Sequence, residues 1–156
     1  MMELPQSFEL ALGDFGKKMG RELAMLNGQC NFTVDGTVEV EIDYLDDTHV
    51  VILWAVIGYA PEDGYAAARA KYLLERNAIA ADNGGFSFSF DSETRRFIAH
   101  DVRPAELFDS ADRIAAWVSA LVAQVQRIRE DFTQGFPCPD FLPDDEEESL
   151  NEEEEA

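Results

Sequence analysis

Along the start of the chain, Phe8, Leu12, Phe15, Met19, Leu23 and Leu26 recur at steps of three or four, the spacing that aligns side chains on one face of an α-helix. A first helix is predicted, ending where Asn27-Gly28 supplies a residue that accepts a positive φ. Gly13, Gly16 and Gly20 weaken it by about 1 kcal/mol each relative to alanine and are read as tolerated or close-packing positions, in preference to the alternative of a helix that must stay adjustable. The period then falls to two. Cys30, Phe32 and Val34 alternate with Asn31 and Thr33, and Val38, Val40, Ile42 and Tyr44 alternate with Glu39, Glu41 and Asp43. The intervening Asp35-Gly36 suits a turn with two positive φ angles, so these runs predict a hairpin with one face on a core. After a second turn at Asp46-Asp47, Val50 to Ile57 is apolar at both parities, which predicts a strand covered on both faces.

Pro61 is suited to open a helix, with Glu62 and Asp63 in its first turn, running to about Asn77. Its alanines between Tyr65 and Tyr72 make a small-residue surface that fits packing within one chain and packing across a dimer equally well. Asn83-Gly84-Gly85 precedes a strand with Phe86, Phe88 and Phe90 on one face and Ser87 and Ser89 on the other. A turn at Asp91 to Thr94 leads to its hairpin partner, Arg95 to Val102. Ile114, Trp117, Leu121, Val125, Ile128 and Phe132 then mark a last helix from about Ser110, capped by Asp109 or Ser110 and ended by Gly135 and Pro137. The order is helix, three antiparallel strands, helix, two strands, helix, an α+β layer fold.

Composition adds a boundary. A chain of 156 residues has room for one domain, which at this size buries roughly 68–70% of its unfolded surface. From Asp140 onward there are ten acidic residues and no Lys or Arg, so half of the net charge of -20 lies at the end. The expected division is a folded domain over residues 1–139 and an acidic disordered tail over 140–156. Even without the tail the charge is negative, which disfavours nucleic acid and anionic membrane surfaces as partners. Met1 to Pro5 lacks the basic and apolar regions of a secretory signal, and the longest apolar run, Val50 to Ile57, is far short of the roughly 20 residues of a membrane span. Cys30 and Cys138 fit reduced thiols, so a cytoplasmic location is expected.

Catalytic machinery is not visible. His49 and His100 have no second histidine or cysteine at ligand spacing, and phosphate-loop, nucleophile-elbow and zinc-helix motifs are missing. Glu39, Glu41 and Asp43 alternate outward and read as a solvated sheet face. No enzyme activity, cofactor or metal is expected.

The stretch Tyr72-Leu73-Leu74-Glu75-Arg76-Asn77, followed by Gly84-Gly85-Phe86-Ser87-Phe88-Ser89-Phe90-Asp91 and then Phe97-Ile98-Ala99, resembles the CesT-like class of type III secretion chaperones. In that family a helix ending in Leu-Leu-x-x-Asn leads to a glycine-started strand that closes in an aspartate turn. With the N-terminal helix, the acidic balance and the final helix, the likeness spans about residues 5 to 132. It implies a non-catalytic homodimer around which the N-terminal segment of a secreted effector wraps in extended form. On this chain it implies client contacts at Leu12, Phe15, Met19, Phe32, Val38 and Val40, and dimer contacts at Tyr65, Ala68, Tyr72 and Phe88. The long acidic end departs from the family's usual shorter one. Two other readings stand beside it: a regulatory or sensory binding domain of the same fold, and an acidic mimic of nucleic acid. A small hydrolase ranks last, because no paired acid and base can be placed.

Overall fold

The two periods lay down a sheet from the alternating runs and helices from the stripes around them. The computed structural model describes residues 4–60, 65–78 and 83–134. In chain order the elements are α1 (Gln6–Lys18), β1 (Gln29–Val34), β2 (Val38–Leu45), β3 (Val50–Tyr59), α2 (Tyr65–Asn77), β4 (Ser87–Asp91), β5 (Arg96–Pro104) and α3 (Ala111–Thr133). A single helical turn, Ala105–Leu107, links β5 to α3. The strands form one sheet in the order β1-β2-β3-β5-β4, with every neighbouring pair antiparallel. The expected element order is the one observed.

The first hairpin closes as its turn residues dictate. Asp35 and Gly36 both have positive φ, 53° and 68°, and the Thr37 N–H donates to the Val34 carbonyl at 3.2 Å. In α3 the Ser110 hydroxyl, one of the two expected caps, accepts from the Arg113 N–H.

Helix α1 ends at Lys18, ten residues before the Gly28 predicted as its end. Gly20, at φ 73°, is the residue that leaves the helix; its N–H meets the Lys17 carbonyl, and the Arg21 N–H reaches back to the Gly16 carbonyl at 2.8 Å. The chain then folds over Gly16, where an added Cβ would lie 2.8 Å from the Arg21 oxygen. Periodicity continues through Leu23 only because the returning segment lays that side chain partly against the same core. The expected helix start at Pro61, its stop at Gly135 and Pro137, and the domain boundary at 139 lie outside the described residues.

One core fills the space between the sheet and the helices. Val38, Val40, Ile42 and Tyr44 of β2, and Val51, Leu53, Ala55 and Ile57 of β3, are buried on the face covered by α3 and α1. From β5 and β4 come Phe97, Ala99 and Phe88. Arg129 of α3 donates to the carbonyls of Ile57, Thr37 and Val56 at 2.7, 2.8 and 3.0 Å, tying the helix to the sheet where β3 bulges before Gly58. Burial draws the Arg129 pKa down, opposed by Glu39. At the other end of the sheet, α2 lies along β4.

Coverage of β3 differs from expectation. Its second parity, Val50, Ile52 and Trp54, is only half-buried, because α1 and α3 both lie on the opposite face. No helix among the described residues is long and apolar enough to cross a membrane.

Candidate partner-binding surfaces

Cross-strand register builds the uncovered face row by row. Asn31, Glu41, Trp54, His100 and Ser87 are successive neighbours across all five strands, and Gln29, Asp43, Ile52 and Val102 form the next row. The centre is apolar, with Ile52, Trp54 and Ile98 half-buried and Val102 49% exposed. The β2 side is acidic. Trp54 Nε1 donates to Asp43 Oδ2 at 3.0 Å, and the Arg96 guanidinium stands 5.5 Å above the Trp54 ring. Beside them is a cavity of about 390 Å³ lined by Thr33, Glu39, Glu41, Trp54, Val56 and Arg96.

The solvated row expected at Glu39, Glu41 and Asp43 is thus only partly so. Glu39 is exposed, but Glu41 and Asp43 are half-buried, and burial, then Asp43 beside it, pushes the Glu41 carboxyl up to about 7. Interaction with Trp54 and Arg96 opposes the rise.

The sheet edges are treated differently. On β1, Gln29 exchanges backbone hydrogen bonds with Leu26, and Arg21 Nη1 donates to the Thr33 carbonyl at 2.8 Å. Strand alternation puts Asn31's N–H and carbonyl on that same outer side, between these two occupied positions. On β4, the Asn77 side chain acts as a surrogate strand: its Nδ2 donates to the Phe88 carbonyl at 2.8 Å, and its Oδ1 accepts from the Phe88 N–H at 2.7 Å. Asn83, itself buried, donates to the Arg76 carbonyl at 2.6 Å and fixes the end of α2. These bonds give the Leu-Leu-x-x-Asn segment a structural reason: Leu73 enters the core and Asn77 covers the edge.

Other polar chemistry in the described residues is structural. Tyr44 Oη and His49 Nδ1 are 3.0 Å apart, His100 is held below its usual pKa by burial, and burial raises the Cys30 thiol. No group of three or more His, Cys, Asp or Glu among the described residues could hold a metal ion.

Most of the side chains expected to meet a client are inside. Leu12, Phe15, Phe32, Val38 and Val40 belong to the buried core, and Met19 packs partly against it. Phe15, 4% exposed, meets the Phe32 ring edge-on at 5.7 Å. The reason is parity: the apolar face of the hairpin turns toward α1 and α3, leaving the carboxylate face outward. Of the residues expected at a dimer contact, Tyr65 and Ala68 are half-buried, whereas Tyr72 and Phe88 are buried within this chain. Tyr72 Oη donates to Asp131, and its ring packs edge-on to Phe132. Burial and the Asp131 hydrogen bond push the Tyr72 pKa up to about 12. Around these, Ala67, Lys71 and Leu74 form an exposed stripe on α2, with Leu74 68% and Phe90 at the sheet edge 44% exposed. Sequence reasoning passed over Ile52, Trp54, Ile98 and Arg96. The signal available was the doubly apolar run of β3, which marks a face needing cover without saying whose.

A five-stranded antiparallel sheet backed on one face by an N-terminal and a long C-terminal helix, with a third helix along its edge, is the fold of the type III secretion chaperones. The chain belongs to the Tir chaperone protein (CesT) family, whose model matches residues 11–129. Solved structures agree on the fold. The HopA1-SchA chaperone-effector complex contains a chain with TM-score 0.66 and 17% identity, over 80% of this chain and 94% of that one. The ExsC-ExsE complex gives TM-score 0.69 and 16% identity, over 83% and 96%. The heterodimeric ExoU-SpcU complex from the type III secretion system of Pseudomonas aeruginosa gives 0.59 and 13%, over 76% and 95%. No curated protein sequence matches the chain.

Proposed function

We propose that the chain is a non-catalytic secretion chaperone that binds the N-terminal segment of an exported effector in extended form and keeps it competent for export. The observation that carries this reading is membership of the Tir chaperone family combined with a sheet face on which the chain's own helices leave Ile52, Trp54 and Val102 uncovered. An extended segment suits such a surface, because it can lay alternate side chains on the open face and pair its backbone with a strand edge at Asn31. Leu12, Phe15, Met19, Phe32, Val38 and Val40 support this surface from beneath. The protein acts as a cytoplasmic homodimer, with the Ala67, Lys71 and Leu74 stripe and Phe90 meeting their counterparts around Tyr65, Ala68, Tyr72 and Phe88.

Capture of partners by the tagged full-length chain from its native cell extract, with mass spectrometry and stoichiometry, tests the reading. One dominant exported protein, held through its N-terminal segment at two chaperone chains per client, is the expected result. Retention of a basic DNA-binding protein instead would overturn it.

A further inference from the structure

The charges around the open-face cavity do not balance locally. Two carboxylates, Glu39 and Glu41, line its β2 wall with Asp43 next along the strand, and β1 contributes only the uncharged Asn31 and Thr33. The nearby cations are shared with other acids. Arg96 of β5 is 3.7 Å from Asp91 of β4, and Arg129 of α3 acts on Glu39. His100, the other titratable group in the Trp54 row, is shifted by burial toward its neutral form. Arg96 is thus shared among Glu41, Asp91 and the Trp54 ring, and carboxylates outnumber cations along this side of the aromatic floor.

We propose that this cavity takes a lysine or arginine side chain of an otherwise apolar client segment, its charge against Glu39 and Glu41 and its methylene stem along Trp54 and Val56. Charge selects this occupant over the alternatives. The chain's own end, with ten acids after Pro139, is repelled by the same carboxylates, and a second copy docked through this face would bring two acidic walls together. An amphipathic cation fits, since its stem covers apolar surface while its head pairs with carboxylate.

Proton linkage follows. Glu41, raised to about 7, holds a proton near neutral pH, and an incoming cation favours its release, so binding strengthens as pH rises through about 7. The inference rests on the chaperone reading but is testable without the client. The probes are two heptapeptides, acetyl-Val-Thr-Val-Arg-Val-Thr-Val-amide and its analogue with neutral citrulline for arginine. They are titrated into the full chain while NMR follows the Trp54 indole N–H and the Glu41 carboxyl carbon. At about pH 8.5 the arginine peptide is expected to shift both signals and bind about tenfold more tightly than the citrulline peptide, the equivalent of one pKa unit of coupling. At about pH 5.5, well below the Glu41 midpoint, that preference is expected to shrink, and in Glu41→Gln it is expected to be weak at both pH values. Equal affinity of the two peptides at the higher pH, or shifts confined to other parts of the molecule, would overturn the proposal. A captured client together with equal peptide affinities removes this inference alone. Arginine selectivity without any captured client upholds the site and removes the chaperone reading alone.

Discussion

Glu41 is the residue whose environment most changes its chemistry. Its carboxyl rises from an ordinary 4.5 to about 7, so between those values the folded protein holds a proton that the unfolded chain has released. The stabilisation is fully present below about 4.5 and is lost as pH climbs through about 7. Glu41→Gln removes the titrating group. After allowance for solvent screening at this half-buried site, it is expected to stabilise the protein by about 1 kcal/mol at about pH 8.5 and to have little effect at about pH 4. Urea unfolding at the two pH values measures the difference; an equal effect at both would contradict the assignment. Phe15 provides the opposite case. It is in the core against Phe32, so Phe15→Asp buries an unpaired charge and loses the ring, at a cost of about 3–5 kcal/mol or more. A circular dichroism melt should show a largely unfolded or strongly destabilised chain. A variant that stayed folded and lost only client binding would make Phe15 a contact residue. Periodicity identified Phe15 as apolar and helical, but a stripe facing a core and a stripe facing a partner have the same spacing.

Among the elements, α2 and β4 are joined by one side chain that replaces a missing strand. Asn77→Ala removes both of its hydrogen bonds to Phe88 and is expected to cost about 1–3 kcal/mol. Hydrogen exchange at the Phe88 amide should speed up by about tenfold or more, and the bared edge should promote concentration-dependent association. Unchanged protection at Phe88 would mean that the amide contributes nothing to the edge. The elements themselves were largely legible. Asp35-Gly36, Asp46-Asp47 and the turn from Asp91 to Thr94 punctuate strands whose alternation is strong, and Ser110 announces α3. The end of α1 was not. Gly20 and Gly28 both take positive φ, and only the hydrogen bonds from Gly20 and Arg21 back to Lys17 and Gly16 decide which one terminates the helix. The role of β3 was half legible for a related reason. An apolar run at both parities says that two faces avoid water, whereas the layer order that leaves one of them open depends on where α1 and α3 pack.

For the whole molecule, the distribution of charge separates the chaperone reading from mimicry of nucleic acid. A mimic would present its carboxylates as a continuous surface, and half of the -20 here follows Pro139. The described surface instead sets the Glu41 and Asp43 wall beside the apolar centre of the sheet, which is a groove with selectivity rather than a polyanion. Deleting residues 140–156 discriminates the two. The core draws on residues between Leu4 and Phe132, so the truncated chain is expected to melt within about 2 °C of the full one, a shift corresponding to less than 1 kcal/mol at this size. Its capture of the client should persist, with less dependence on salt because the long-range field has been halved while the groove is intact. Loss of all partner binding in a truncated chain that melts normally would place recognition in the acidic end and favour the mimic. Retained binding that Glu41→Gln then weakens would place it on the open face of the sheet.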